Sequence, residues 1–289
     1  MTFAAASKFG TSSALTATWL VATPALAQTT PSPATNGTPD TTNQRASVAE
    51  LQKLKHNPVS GLRQFVFEAT ANPGYPNSGQ TQGIYSLQAV WPFSINEDYR
   101  LVTYTILPAV HIPGGTGENS ATGLSDTLIN LFVSPKKASE IVWGIGPTIL
   151  LPTRTQPELG SNRVALGPAA LLYYQQEKWS AGVVLQNGWS LGNASGNNRV
   201  NAFGAQYLFS YNLPAGWSIY SNATITSNWT RPSRDRWTVP VGGGIGKLFY
   251  VGPLPISVSA QAFYNVVAPT DAPNWSVNLQ LAFLFAAPK

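Results

Sequence analysis

From Leu62 to Phe285 the chain alternates. Over 275–285, Trp275, Val277, Leu279, Leu281, Phe283 and Phe285 take every second position, with Ser276, Asn278, Gln280, Ala282 and Leu284 between them. A period of two marks a strand with one apolar and one polar face. The pattern recurs and predicts twelve strands: 62–71, 83–93, 99–111, 124–134, 140–151, 163–174, 178–190, 199–212, 216–229, 236–249, 254–266 and 274–285. Most of these are longer than the usual soluble strand of about 5–6 residues and match the roughly 9–11 needed to cross a bilayer at a tilt.

The connections alternate too. Short links at 94–98, 135–139, 175–177, 213–215 and 251–254 take turns with long ones at 72–81, 112–123, 152–162, 191–198, 230–235 and 267–272. That alternation predicts an all-β, closed antiparallel up-and-down transmembrane barrel of about 12 strands, with short turns at one end and long loops at the other. A sandwich with Greek-key crossings has no reason to produce it. Lipid forces closure, because an open sheet edge in hydrocarbon leaves backbone groups unpaired. In outer-membrane barrels the short turns face the periplasm, so both ends of the barrel are expected there.

The stretch "WSIYSNATITSNW" (217–229) shows the two faces. Trp217, Ile219, Ala223, Ile225 and Trp229 share one face; Ser218, Tyr220, Asn222, Thr224, Thr226 and Asn228 share the other. At roughly 3.3 Å per residue and about 45° of tilt, the two indoles would lie about 28 Å apart along the membrane normal, the spacing of two aromatic girdles. Trp179 with Trp189, and Trp275 with Phe285, bracket two further strands in the same way. Outer-membrane lipid is the expected partner of this face, and the barrel-insertion machinery the expected reader of the aromatic C-terminal strand.

Ahead of the barrel the pattern differs. Residues 1–27 read as a signal peptide: Lys8, an apolar stretch at 14–22, and "ALA" at 25–27 before Gln28. Residues 28–61 read as a periplasmic linker ending in a short helix over 47–58, with Ser47 as cap, Glu50 three residues on and Pro58 as stop. Residues 62–285 form the barrel and 286–289 a tail.

Composition narrows the chemistry. Charged residues make up 10% of the chain and cysteine is absent, which excludes disulfides and thiolate metal sites. The net charge of +5 is not clustered as in a nucleic-acid binder. Lys53, Lys55, Lys136, Lys137, Lys178, Lys247 and Lys289 fall to the short-turn side. Arg154, Arg163, Arg199, Arg231, Arg234 and Arg236 fall to the long-loop side, where lipopolysaccharide phosphates are a candidate partner. Inward positions are mostly small and neutral, Thr103 and Thr105 among them. Glu68, Gln88, Asp126, Asn130, Gln186, Asn222 and Gln261 are the candidate solute contacts, and only Glu68 and Asp126 are charged. No ring of like charge suggests ion selectivity. Catalysis has little support: the histidines are His56, ahead of the barrel, and His111, whose parity with Thr103 and Thr105 points it inward. A Ser–His pair of the outer-membrane phospholipase type would sit on the outer wall. "GGGIG" (242–246) lies mid-strand with no helix after it, unlike a phosphate loop. No cofactor is called for.

Several strings together resemble the outer-membrane family linked to meta-pathway phenol degradation, often labelled simply "transporter" or "neuromedin U". They are "NPVSGLRQFVFE" (57–68), "LQAVWPFSINEDYRLVTYTILPAV" (87–110), "GLSDTLINLFVSP" (123–135), "VWGIGPTILLPT" (142–153), "LGPAAL" (166–171), "RWTVPVGGGIGKL" (236–248) and "WSVNLQLAFLF" (275–285). Ser125 departs from the Gly-Leu-Gly-Asp of that pattern. The resemblance implies a bacterial outer-membrane barrel serving as a passive channel for small neutral or aromatic compounds; the alternative is a structural or interaction barrel with a blocked lumen. It supplies no set of functional residues.

Overall fold

The computed structural model describes residues 46–285 apart from 77, 116–118, 138 and 193–198. The expected signal segment, most of the linker and the tail lie outside the described residues. A short helix, α1 (Val48–Lys55), precedes fourteen strands. These are β1 (Arg63–Asn72), β2 (Gln82–Ser94), β3 (Tyr99–Ile112), β4 (Ala121–Leu124), β5 (Thr127–Pro135), β6 (Ile141–Leu151) and β7 (Ala165–Gln175). They continue with β8 (Trp179–Ser190), β9 (Asn201–Asn212), β10 (Trp217–Ser221), β11 (Thr224–Asn228), β12 (Trp237–Val251), β13 (Leu254–Val267) and β14 (Trp275–Phe285).

All pairings are antiparallel, and β1 pairs with β14 from Arg63 opposite Phe285 to Ala71 opposite Val277, so the sheet closes. β4 and β5 run in line, as do β10 and β11. The wall is therefore a twelve-stranded barrel in which two of the strands expected to be continuous, 124–134 and 216–229, are broken.

Each break is set by a partner distant in sequence. At Ser125–Asp126 the long β6–β7 connection draws the chain out of the ladder. The Asp126 carboxylate accepts the Ser161 amide at 2.6 Å and its hydroxyl at 2.7 Å, while the Ser125 hydroxyl donates to the Leu159 carbonyl. At Asn222–Ala223 the register does not slip. β12 pairs β10 from Trp217 opposite Lys247 to Tyr220 opposite Gly244, and β11 at Thr226 opposite Thr238 and Ser227 opposite Trp237. Between them, 221–225 and 239–243 form no ladder. Pro240 offers no N–H there. Orphaned carbonyls are costly in hydrocarbon, and two hydroxyls answer them: Ser221 Oγ donates to Gly242 O at 2.6 Å and Tyr207 Oη to Pro240 O at 3.1 Å.

Outside, the wall is apolar. Trp179, Trp217 and Phe285 project outward at the short-turn end; Trp189, Trp229 and Trp275 do so at the long-loop end, all of them exposed. Trp229 packs edge-on to Trp237 at 5.5 Å and Trp275 to Tyr264 at 5.0 Å. Inside lie the buried polar groups, among them Gln64, Ser86, Gln88, Asn130, Gln186, Ser210, Ser257, Ser259, Gln261 and Asn278. Polar in and apolar out is the inverse of a soluble core.

One face assignment needs correction. Val90 and Gln88, which face inward, stand opposite Tyr104 and Ile106, so the even positions of β3 face inward. Thr103, Thr105 and His111 therefore face outward. The register runs unbroken from Gly83 opposite His111 to Ser94 opposite Arg100, past Pro108. Polarity misleads because this side of the lumen is oily: Val102, Phe132, Leu171, Tyr173 and Val184 cluster inside the barrel around Val59.

Val59 belongs to a segment, 46–62, that fills the short-turn end of the lumen. Ser47 caps α1 by accepting the Glu50 amide at 3.1 Å, and Asn57 accepts the Val59 amide at 3.1 Å in the turn that follows. Leu51 and Leu62 pack on Leu248 and Leu284 of the wall. Gln52 Nε2 donates to Trp217 O at 2.8 Å, and Asn57 Nδ2 to Gln175 Oε1 at 3.2 Å. The helix expected ahead of the barrel thus sits inside its mouth.

Candidate functional site

Above this plug the lumen holds two adjoining spaces. The inner one, about 120 Å³, lies between the plug and the wall. The outer one, about 460 Å³, opens toward the long loops. Gln88, Tyr104, Gln206, Asn222 and Gln280 line both and so form the junction. They come from β2, β3, β9, the β10–β11 break and β14, because inward positions of neighbouring strands lie at one level.

The junction is tied together by amides. Glu68 Oε2 accepts Gln280 Nε2 at 2.6 Å and Gln88 Nε2 at 3.1 Å, and the Tyr104 hydroxyl donates to Gln88 Oε1 at 2.8 Å. Farther along the same wall, Gln261 Nε2 on β13 donates to Asn222 Oδ1 at 2.5 Å. Gly242, Gly244 and Gly246 of β12 add no side chains on this side, and a methyl group at Gly246 would meet the Tyr220 ring at 3.1 Å.

Of the seven candidate contacts, Glu68, Gln88, Asn130, Gln186, Asn222 and Gln261 line the outer space. Asn130 and Gln186 are bonded to each other at 2.8 Å. Asp126 does not join them. It is buried against Ser161 and pins the β6–β7 connection, a structural role. Leu159 of the same connection is fully buried against Val110 and Ala121 at the rim.

Sequence reasoning missed Lys55 and His56, because only the packing of α1 brings them to the lumen. Lys55 Nζ donates to Ser257 Oγ at 2.9 Å and lies 5.9 Å from the centre of the Tyr220 ring. Burial lowers its pKa to about 8. The His56 ring lies 5.3 Å from that of Tyr220, and its Nε2 has no hydrogen-bond partner. Burial, with the Lys55 charge second, drives its pKa well below the ordinary value, so His56 is neutral at pH 7.

At the outer rim Arg154, Arg231 and Arg234 are bound within the loops. Arg231 grips Asp271 through both carboxylate oxygens at 2.7 and 2.8 Å. Asp235 accepts the Thr270 amide at 3.0 Å, which with the Arg234 contact lowers its pKa. Arg154 donates to the Gly160 carbonyl at 2.6 Å. His111 bonds Thr122, not a serine, at 2.7 Å. Among the described residues, no three His, Asp or Glu side chains converge as a metal site would require.

A family model described as "Putative MetA-pathway of phenol degradation" matches residues 68–285. The chain belongs to that family. Among solved structures, this family member is similar to the COG4313 outer membrane channel from Pseudomonas putida F1. The TM-score is 0.58 at 16% identity, over 78% of this chain and 94% of that one. That likeness shows the fold, an outer-membrane barrel. Weaker matches are the NanC porin (TM-score 0.45, 12% identity, 76% and 98% coverage) and outer membrane phospholipase A from Escherichia coli (0.42, 11%, 80% and 97%). No curated protein matches the chain.

Proposed function

We propose that this protein is a passive channel of the bacterial outer membrane for small neutral or aromatic compounds, with the short turns and the plug on the periplasmic side. The observation that carries the reading is the junction. Between the two spaces stand amides and one phenol, and the single carboxylate, Glu68, is held by two amides. Such a lining offers hydrogen bonds to a neutral polar group without selecting by charge. The arginines of the long loops are the groups that would meet lipopolysaccharide phosphates at the outer surface. Liposome swelling with phenol tests the proposal: vesicles carrying the mature protein should swell faster than empty ones, and swelling with no small solute would end it.

The plug favours a second reading, a barrel whose lumen is closed. Deleting residues 28–60 separates the two. Permeation already present in the intact protein supports the channel; permeation that arises only after deletion supports the closed barrel.

A further inference from the structure

The inner space between plug and wall is built unevenly. One side carries a cation with no counter-charge. Lys55 Nζ has the Ser257 hydroxyl and the face of Tyr220, and among the described residues no carboxylate lies within ion-pair distance of it. Beside it, His56 Nε2 and the Tyr220 hydroxyl are buried without hydrogen-bond partners. Groups of this kind are costly to bury unless something answers them. The other side is apolar: Val66, Val90 and Leu208 line the same space. Its volume, about 120 Å³, is close to the roughly 150 Å³ cavity that accepts one benzene molecule. The amide junction lies between it and the outer space.

We propose that this space binds one single-ring aromatic carboxylate, the carboxylate on Lys55 Nζ and the ring against Val66, Val90 and Leu208. The inference deepens the channel reading and rests on it, by naming the solute class that dwells in the inner space. A monovalent anion neutralises the one ammonium. A neutral phenol leaves it uncompensated, and a phosphate dianion asks for more cationic donors than the space holds. A long-chain acid exceeds the volume.

The test is calorimetric titration of the full mature protein in detergent with sodium benzoate, phenol and sodium acetate. Benzoate is expected to bind one per barrel, and more tightly than either phenol, which lacks the carboxylate, or acetate, which lacks the ring. Lys55→Met keeps the aliphatic stem and should weaken benzoate about 10- to 100-fold, the worth of one charge-assisted hydrogen bond. Val66→Phe fills the apolar side and should abolish binding while Lys55 stays. In each variant, resistance to trypsin cleavage after Lys53, which needs α1 to unwind, reports whether the segment is still seated. The proposal is overturned by no benzoate binding, by phenol binding as tightly as benzoate, or by unchanged affinity in Lys55→Met with the plug seated. Liposome swelling with benzoate keeps the two claims apart: swelling without binding overturns this site alone, and binding without swelling overturns the channel alone.

Discussion

Replacing both Leu51 and Gln52 by alanine should unseat the plug and leave the wall intact. Leu51 is 4% exposed and packs on Leu248 and Leu284. Truncating such a leucine removes about 2–5 kcal/mol. Gln52, also 4% exposed, satisfies the Trp217 carbonyl at 2.8 Å. Losing that donor strands a buried acceptor at about 1–3 kcal/mol. The two residues are adjacent and need not add fully. Even about 3 kcal/mol shifts the seated-to-unseated ratio more than a hundredfold. Trypsin in detergent reads the outcome: the Lys53 side chain is exposed and that of Lys55 half-buried, but cleavage after either needs α1 to leave the mouth and unwind. Heat-modifiable migration on a gel reports the barrel, whose ladder neither substitution touches. Faster cleavage with an unchanged barrel is expected, together with a rise in single-channel conductance. Unchanged cleavage would show that the plug does not depend on these contacts.

Three further outcomes follow from named groups. Lys55 and His56 both have lowered pKa values in the seated plug, so the released segment binds more protons, and seating strengthens with pH from about 8 to about 10.5 for Lys55 and weakens below about 6.5 for His56. Tyr220 and Ser257 face these two side chains, and Glu68 lies farther up the lumen, so trypsin cleavage should rise on acidification; a pH-independent rate would refute this. Leu185→Arg places a charge on the exposed outer face midway between Trp179 and Trp189 and should destabilise the barrel by about 2–4 kcal/mol in urea unfolding from bilayers; a neutral result would mean that this face does not meet lipid. Tyr207→Phe leaves the Pro240 carbonyl unanswered where the ladder lapses and should cost about 1–3 kcal/mol in the same assay, with no loss expected if water reaches that carbonyl.

The period of two made the wall legible, since a strand that meets lipid on one side and a wet lumen on the other has little freedom in where Trp275 or Gln280 points. Elements that depend on distant partners were not. The interruption at Ser125–Asp126 is set by Leu159 and Ser161 of the β6–β7 connection rather than by local propensity.

 The second lapse, at Asn222–Ala223, answers to Pro240 on the next strand. β3 misled because its two threonines, Thr103 and Thr105, stand on the outward face, while the face turned inward packs on the oily cluster around Val59. Glu68, Gln88 and Gln261 could be placed on the inner face from parity alone. Lys55 and His56 could not, because helical period and capping predict that α1 forms but not what it rests against. Asp126 shows the converse error: an inward acid reads as a solute contact until the serine that holds it is seen.

The contacts of Leu51 and Leu62 with Leu284 have a consequence for the order of assembly. Residues that precede β1 rest on a side chain from β14, so the stopper has no complete seat until the C-terminal hairpin has arrived and sealed against β1. A nascent or half-inserted cylinder is therefore unstoppered, and the closing of the seam and the corking of the mouth belong to one late event.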